Sequence, residues 1–399
     1  MSASQPAPDW TYPPHKALST QVNSVAVDDT GSRCVFGTWL EEGRGSFAVW
    51  LLDGNGRELW CEALDQGATV QGGVYWTAIS GDGHWVAAGG ERAPDQGFLL
   101  AWGADGAVQR LVQSTPSRVN QLSLDATGRR LVACYGSTVA FYLRDPVTLQ
   151  YRCVGERLLA DAEGSSYQVI SCQVSASGDL AAACGIRYET DGSTRGCVSA
   201  WRYTESGSLE ALPAITFDTG CMRVAVSRSG AHWAVSLHDG SCALIDASEP
   251  GRPVWRHDPG DTGLGVAYAV AVCEPEPGAV FVVCGANVDA NGADGLLYKV
   301  TDHNGAPQLE WKRSVARGIN PGVSTDVRGR WVTVTDGEPA PDHSSESAGA
   351  FYLYSGTGAL IWSYPTRLMN WPMMISADGR LAVGGTDGGM VYGWRMALE

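Results

Sequence analysis

Charge is scarce in this 399-residue chain: 18 % of its residues are Asp, Glu, Lys or Arg, against about 25 % in soluble domains generally. Basic charge is the scarcer kind, with 28 Lys and Arg against 43 Asp and Glu and a net of −15. A surface of that sign repels phosphate backbones and anionic headgroups, so neither nucleic-acid nor membrane-surface binding is expected. No apolar run approaches the roughly 18 residues that a membrane helix needs. The start of the chain, Met1 to Asp9, lacks the basic and apolar regions of a secretory signal, and a cytoplasmic location is the expectation. None of the eleven cysteines forms a C-x-x-C pair. Most sit in apolar runs such as Val132-Ala133-Cys134 and Val282-Val283-Cys284, which reads as buried reduced thiols rather than a disulfide framework or a zinc site. There is no P-loop, G-x-S-x-G, H-E-x-x-H or dinucleotide fingerprint, and Gly356-Thr357-Gly358 falls in a hairpin turn. No metal and no cofactor is expected.

Glycine is what the chain has in excess, 50 residues or about one in eight, together with 44 % hydrophobic residues and 15 tryptophans. Many glycines without proline-rich low complexity mean many tight turns, hence many short strands. A unit of two apolar strands around a D/S-x-x-G turn recurs throughout. The turns are Asp28-Asp29-Thr30-Gly31, Ser80-Gly81-Asp82-Gly83, Asp125-Ala126-Thr127-Gly128, Ser175-Ala176-Ser177-Gly178 and Ser227-Arg228-Ser229-Gly230, then a variant ending Pro277-Gly278, Asp326-Val327-Arg328-Gly329 and Ser376-Ala377-Asp378-Gly379. Their glycines are 45 to 52 residues apart. A third strand follows each pair and often closes on Trp50, Trp102, Trp201 or Trp394, and a further glycine turn leads to a fourth, as in Asp53-Gly54-Asn55-Gly56-Arg57-Glu58-Leu59-Trp60. Four short strands in about 50 residues, with no sustained helical period, is the signature of a β-propeller blade.

Eight units fill residues 1–399 as a single all-β domain: an eight-bladed propeller with repeats at 19–66, 67–114, 115–162, 163–215, 216–260, 261–315, 316–366 and 367–399. The eighth unit stops after its third strand, and a spare segment at 10–18 precedes the first. That segment is expected to become the outermost strand of the last blade and close the ring, which an open edge would otherwise leave unpaired. The turn-and-tryptophan pattern resembles WD40-like and quinoprotein (PQQ)-like propeller repeats over essentially the whole chain, in architecture. No WD dipeptide occurs, and the Gly-x-x-x-Trp ending of several fourth strands resembles the tryptophan-docking repeat of quinoprotein dehydrogenases. No catalytic residue carries over from either group.

Chemistry in such a fold gathers where the chain enters each innermost strand. Aligning the repeats on their turns puts Asn23, Trp76, Asn120, Gln168, Arg223, Tyr268, Asn320 and Asn370 there, with Trp371 beside the last. A funnel with this lining binds a small polar or aromatic molecule through amides and stacking, and Arg223 faces its carboxylate or phosphate. The plainer alternative for the amides is that they satisfy loop backbones. Loops between second and third strands add Glu41, Glu42, Glu91, Arg92, Arg187, Tyr188, Glu189, His238, Asp239, Asp289, Asp336 and Glu338. Of these, His238 is the candidate general base, Glu91 a candidate proton shuttle if its carboxyl is desolvated, and Arg223 the third catalytic candidate. The proline- and serine-rich stretch from Asp336 to Glu346 is a candidate lid or a surface insertion. Asp289 to Gly295 lacks the alternating carboxylates of a calcium loop and reads as a turn.

Three functions fit. The first is a small-molecule site in the funnel, extending to a cofactor-independent acid–base lyase, cyclase or isomerase, for which strictosidine-synthase-type propellers offer an analogy of architecture. The second is a WD40-type scaffold that binds a protein partner on the top face. The third is a PQQ-like oxidoreductase.

Overall fold

The computed structural model describes residues 6–13, 21–40, 47–64, 72–93, 95–106, 108–204, 207–261, 263–288, 294–337 and 348–396. Among these residues there is no helix, and no element long and apolar enough to cross a membrane as one. Thirty-three strands among the described residues fall into eight antiparallel groups, at 21–63, 72–115, 119–158, 168–217, 221–257, 267–315, 319–366 and 370–395, of four strands each except the five of 168–217. The last group gains its fourth strand from the start of the chain: Trp10–Tyr12 pairs with Val391–Arg395, Trp10 opposite Gly393 and Tyr12 opposite Val391. Blades one and two also share one sheet, because Trp39 and Leu40 pair with Gly73 and Gly72. In blade four the outermost strand is split into Leu209–Ala211 and Ile215–Phe217, both on Thr194–Tyr203. Pro213 lies in the break, where its missing N–H cannot serve the ladder.

The apolar runs are continuous rather than alternating because each blade is covered on both faces by its neighbours. Accordingly the core is not one body but a series of interfaces. Val35, Phe47, Leu51 and Trp102 join blades one and two, and Leu99, Leu122 and Tyr142 join two and three. The series continues round to Phe351, Leu353 and Trp394 between seven and eight. It closes where Val22, Phe36 and Trp50 of blade one pack on Leu381, Val383 and Val391 of blade eight. Nine of the eleven cysteines are buried among these side chains and all eleven are free thiols.

Two recurring contacts explain the repeat. In the D/S-x-x-G turns the glycine N–H closes on the carbonyl three residues back, as in Gly128 to Asp125 at 3.1 Å and Gly379 to Ser376 at 2.8 Å. These glycines have φ between +62° and +80°, a conformation that costs other L-residues free energy. The leading Asp or Ser then accepts backbone N–H groups across the turn: Asp125 Oδ1 from Arg129 at 2.8 Å, Ser175 Oγ from Leu180 at 3.2 Å. At the rim, the indole N–H of an outer-strand tryptophan donates to the next blade's hairpin: Trp10 to Gly54 O, Trp60 to Ala104 O, Trp311 to Gly356 O. The ring lies so close to Gly56, Gly106 or Gly358 that a Cβ there would sit 2.6–2.7 Å from it. The tryptophan and the glycine of the next repeat are therefore one device.

Trp10 works this device across the closure, with Asp9 N–H on Gly393 O and the Arg395 N–H on Asp9 adding to it. Trp10→Ala should lower stability by about 1–3 kcal/mol, the range for emptying a partly buried aromatic site. Val147→Ala, at a position 86 % exposed, should change it by less than about 0.5 kcal/mol. Urea unfolding of the two variants checks the ring closure. Equal midpoints would show that Trp10 does not hold the two ends together.

Candidate functional site

The D/S-x-x-G turns define the bottom of the ring, and the loops entering the inner strands define the top. At the bottom, neighbouring turns are tied into a circle. Asp29 N–H donates to Gly81 O, Asp82 to Ala126, Ala126 to Ala176, Ser177 to Arg228, Val327 to Ala377 and Asp378 back to Asp29, at 2.8–3.1 Å. Blade six has two prolines and extra length in its turn, and there side chains take over: Ser229 Oγ donates to Glu274 at 2.6 Å, and Cys273 Sγ reaches Asp326 O at 3.5 Å.

At the top every inner strand is interrupted at the same level. The pairing register shifts between Val22 and Ser24, Val74 and Trp76, Val119 and Gln121, Val169 and Ser171, Cys221 and Arg223, Ala267 and Ala269, Ile319 and Val323, and Asn370 and Met373. A bulge re-aims the residues beside it and bends the strand. The bulge divides the sequence candidates. Trp76, Arg223 and Tyr268 face the axial channel. Asn23 is buried beside it, its Oδ1 without a partner among the described residues. Asn120 faces protein: Nδ2 donates to Val169 O at 2.7 Å and Oδ1 accepts from Arg118 Nε at 3.0 Å. Asn370 is fully buried, donating to Asp336 O at 3.3 Å and accepting from Thr366 Oγ1 at 2.9 Å. Trp371 donates its indole N–H to Asp387. Gln168 is exposed two residues before its bulge. Asn320 lies in an inner strand, with its side chain outside the described residues.

The catalytic candidates do not converge. Arg223 lines the channel, whereas Glu91 and His238 do not. Glu91 lies near the end of the second strand of blade two, where burial, opposed by Arg118, raises its carboxyl pKa. His238 sits in a turn of blade five, held by its backbone N–H on Gly220 O at 2.8 Å. Several loop charges are spent on neighbours: Arg187 on Glu189 at 2.8 Å, Asp239 on Arg256, and the buried Asp336 on Ala350 N–H and Tyr352 O–H, both at 2.7 Å. Glu41, Glu42, Asp289, Glu338, the stretch 338–346 and most of 289–295 lie outside the described residues.

The channel holds a chamber of about 380 Å³ that reaches from Trp76, Arg223 and Tyr268 down to Asp29, Arg228 and Glu274. It is bridged at two levels. High in the channel the guanidinium carbon of Arg223, on blade five, stands 5.6 Å from the ring centre of Trp76 on blade two. Low in it Arg228 of blade five forms a two-point ion pair with Asp29 of blade one, at 2.9 and 2.6 Å. Blades one and five are opposite in a ring of eight, so this pair spans the exit. Asp29 and Arg228 occupy the second position of their turns, four repeats apart. Comparing that position between repeats would have exposed the opposite charges.

No protein-family model and no curated protein matches this chain. Solved structures do. The Chaetomium thermophilum Sqt1 bound to the N-terminus of ribosomal protein L10 superposes with a TM-score of 0.65 at 11 % identity, over 95 % of this chain and 98 % of that one. The β-propeller domain of Myceliophteria thermophila Cps50 (Swd1) superposes with a TM-score of 0.52 at 13 % identity, over 80 % of this chain and 96 % of that one. At such identities the likeness is one of fold alone, and the fold is a β-propeller.

Beside the chamber floor, His232 Nδ1 meets Glu274 Oε1 at 2.6 Å. Burial lowers the imidazole pKa, but the hydrogen bond and charge of Glu274 outweigh it and leave it raised. Burial likewise works to raise the Glu274 carboxyl, and the bonds from His232 and Ser229 leave it lowered. A raised His stabilises below its unfolded pKa near 6.5, and a lowered Glu stabilises above its unfolded value near 4.3. The pair is thus strongest between about pH 4.5 and 6.5. The urea midpoint lost by His232→Asn should be largest there and shrink as pH rises past the folded pKa of His232. A loss that does not change with pH would mean that the pair carries no charge.

Proposed function

We propose that this propeller is a protein-interaction module that seats an extended segment of a partner protein across its top face, over the channel mouth. The observation that carries this reading is Tyr188, which ends the second strand of blade four at the top and is 67 % exposed, an amphipathic ring of the type enriched in interface cores. The bottom is held nearly constant, Asp or Ser opening each turn and Gly closing it, because the turn and the circle of backbone bonds require it. Of the residues just past the bulges in blades one to six, Ser24, Gln121, Ser171 and Ala269 are buried, and only Trp76 and Arg223 keep some exposure.

Two further features support the reading. The Sqt1 propeller carries a protein N-terminus, so this architecture accommodates a chain segment. The net charge of −15 steers basic partners towards the molecule and repels acidic ones. The acid–base enzyme reading needs Glu91 or His238 within reach of the channel, and neither side chain lines it.

A photo-crosslinking residue distinguishes the faces. Placed at Tyr188 on the top, it should give a discrete protein adduct in living cells. Placed at Val147, in a bottom turn and 86 % exposed, it should give none. Adducts from position 147 alone, or equally from both, would show that the top face is not the interaction surface.

A further inference from the structure

The charges that line the chamber do not cancel. Asp29 is matched by Arg228. Glu274 is matched by His232, and Asp326 by Arg330 at 2.8 Å. Arg223 is the remaining lining cation, and among the described residues no carboxylate pairs with it. One Nη1–H reaches Ile170 O at 3.3 Å, and Nε is buried with no hydrogen-bond partner. Arg223, Trp76 and Tyr268 each keep some exposure, and all three line the chamber. A guanidinium removed from bulk water without a counter-charge is costly, and the cost is relieved by an oxyanion that takes its free N–H groups.

We propose that the chamber is a binding site for a free small anion, a carboxylate or phosphate carried on an aromatic or other planar apolar group. The oxyanion lies against Arg223 and the planar group against Trp76 and Tyr268. Three features fit that class. The volume, about 380 Å³, is within the range of small-ligand pockets, roughly 300–1,000 Å³. The guanidinium fork matches two oxygens of either anion. The lining also holds the apolar side chains of Val25, Ala78, Leu122, Val224 and Val270, which suit a planar apolar group, and its other charged groups already have partners. Bars at both levels favour a free molecule over a threaded chain. The site is therefore separate from the top-face reading, and either can fail alone.

The test uses benzoate and phenyl phosphate as probes and benzyl alcohol as their neutral counterpart, in calorimetric titrations of the full chain. Benzoate and phenyl phosphate should bind at least tenfold more tightly than benzyl alcohol. In Arg223→Gln that preference should fall below about twofold, while Arg223→Lys, with the charge but not the fork, should fall between. Trp76→Leu should weaken both aromatic anions and leave inorganic phosphate unchanged. If Arg223→Gln does not fold, the parent and Trp76→Leu decide the matter. Benzyl alcohol binding as well as benzoate, no binding of any probe, or benzoate affinity unchanged in a folded Arg223→Gln would overturn the proposal. A peptide with a central glutamate that outcompetes benzoate would overturn the assignment to a free ligand.

Discussion

An inner strand of a propeller is an edge strand, and everything at the axis follows from that. It pairs with the second strand of its own blade on one side only. On the other side its N–H and C=O groups face the neighbouring blade, too far round the ring for a ladder. Left unpaired in a buried place, each would cost about 1–3 kcal/mol. The chain answers with short polar side chains from the preceding blade. Ser24 Oγ accepts from Thr77 N–H, Ser123 Oγ from Val174, Ser171 Oγ from Val224, Gln173 Oε1 from Val226 and Ser324 Oγ from Ile375, at 2.7–3.3 Å. Carbonyls are served the same way, by Asn120 on Val169 and Ser236 on Ala267. The polar lining of the channel is thus in large part the blade-to-blade bond, made where backbone pairing is geometrically out of reach.

That constraint explains which parts of the molecule were legible from sequence. Turns, tryptophans and the closing strand are local devices whose chemistry fixes residue type, so Gly128 or Trp10 announces itself. The register at the top of the inner strands is different. One extra residue in a strand moves every later side chain to the other face, and nothing in Val22-Asn23-Ser24 marks the bulge. Counting from the turns placed Trp76, Arg223 and Tyr268 in the channel, where they are. The same counting took Asn120 and Asn370 for ligand groups when both serve carbonyls, and set Gln168 two residues too early. The plainer reading of the amides was the better one for these two asparagines. Glu91 and His238 were grouped by chemistry alone, and neither lines the channel across which blades two and five meet.

The two ends of the channel divide their work by the same logic. At the bottom, six of the eight neighbouring pairs of turns are joined by backbone bonds, which side-chain changes leave intact, so the second turn position is free to carry Asp29 in one repeat and Arg228 in another. The resulting ion pair, with Arg228 48 % and Asp29 31 % exposed at the side chain, is of a kind worth at most about 1 kcal/mol. Its structural effect, a bar across the exit, is larger than its energetic one. At the top, the bulges release residues from the ladder and thereby free both their side chains and their backbone groups.

Arg223 shows what that release makes possible. The bulge at Ile170 takes this residue out of register with its partner strand, and Arg223 Nη1 donates to its carbonyl. One contact of the guanidinium is therefore structural, repairing a defect that the bulge created. A serine or asparagine, as used at other interfaces, would have served that carbonyl alone. An arginine brings four further N–H donors and a charge that burial disfavours, to the point of lowering its pKa. The face over Trp76 recovers part of that cost, since a desolvated cation–π contact is worth about 2 kcal/mol. Arg223 Nε is buried without a partner among the described residues, and the residue lines a chamber in which each acid has a base of its own.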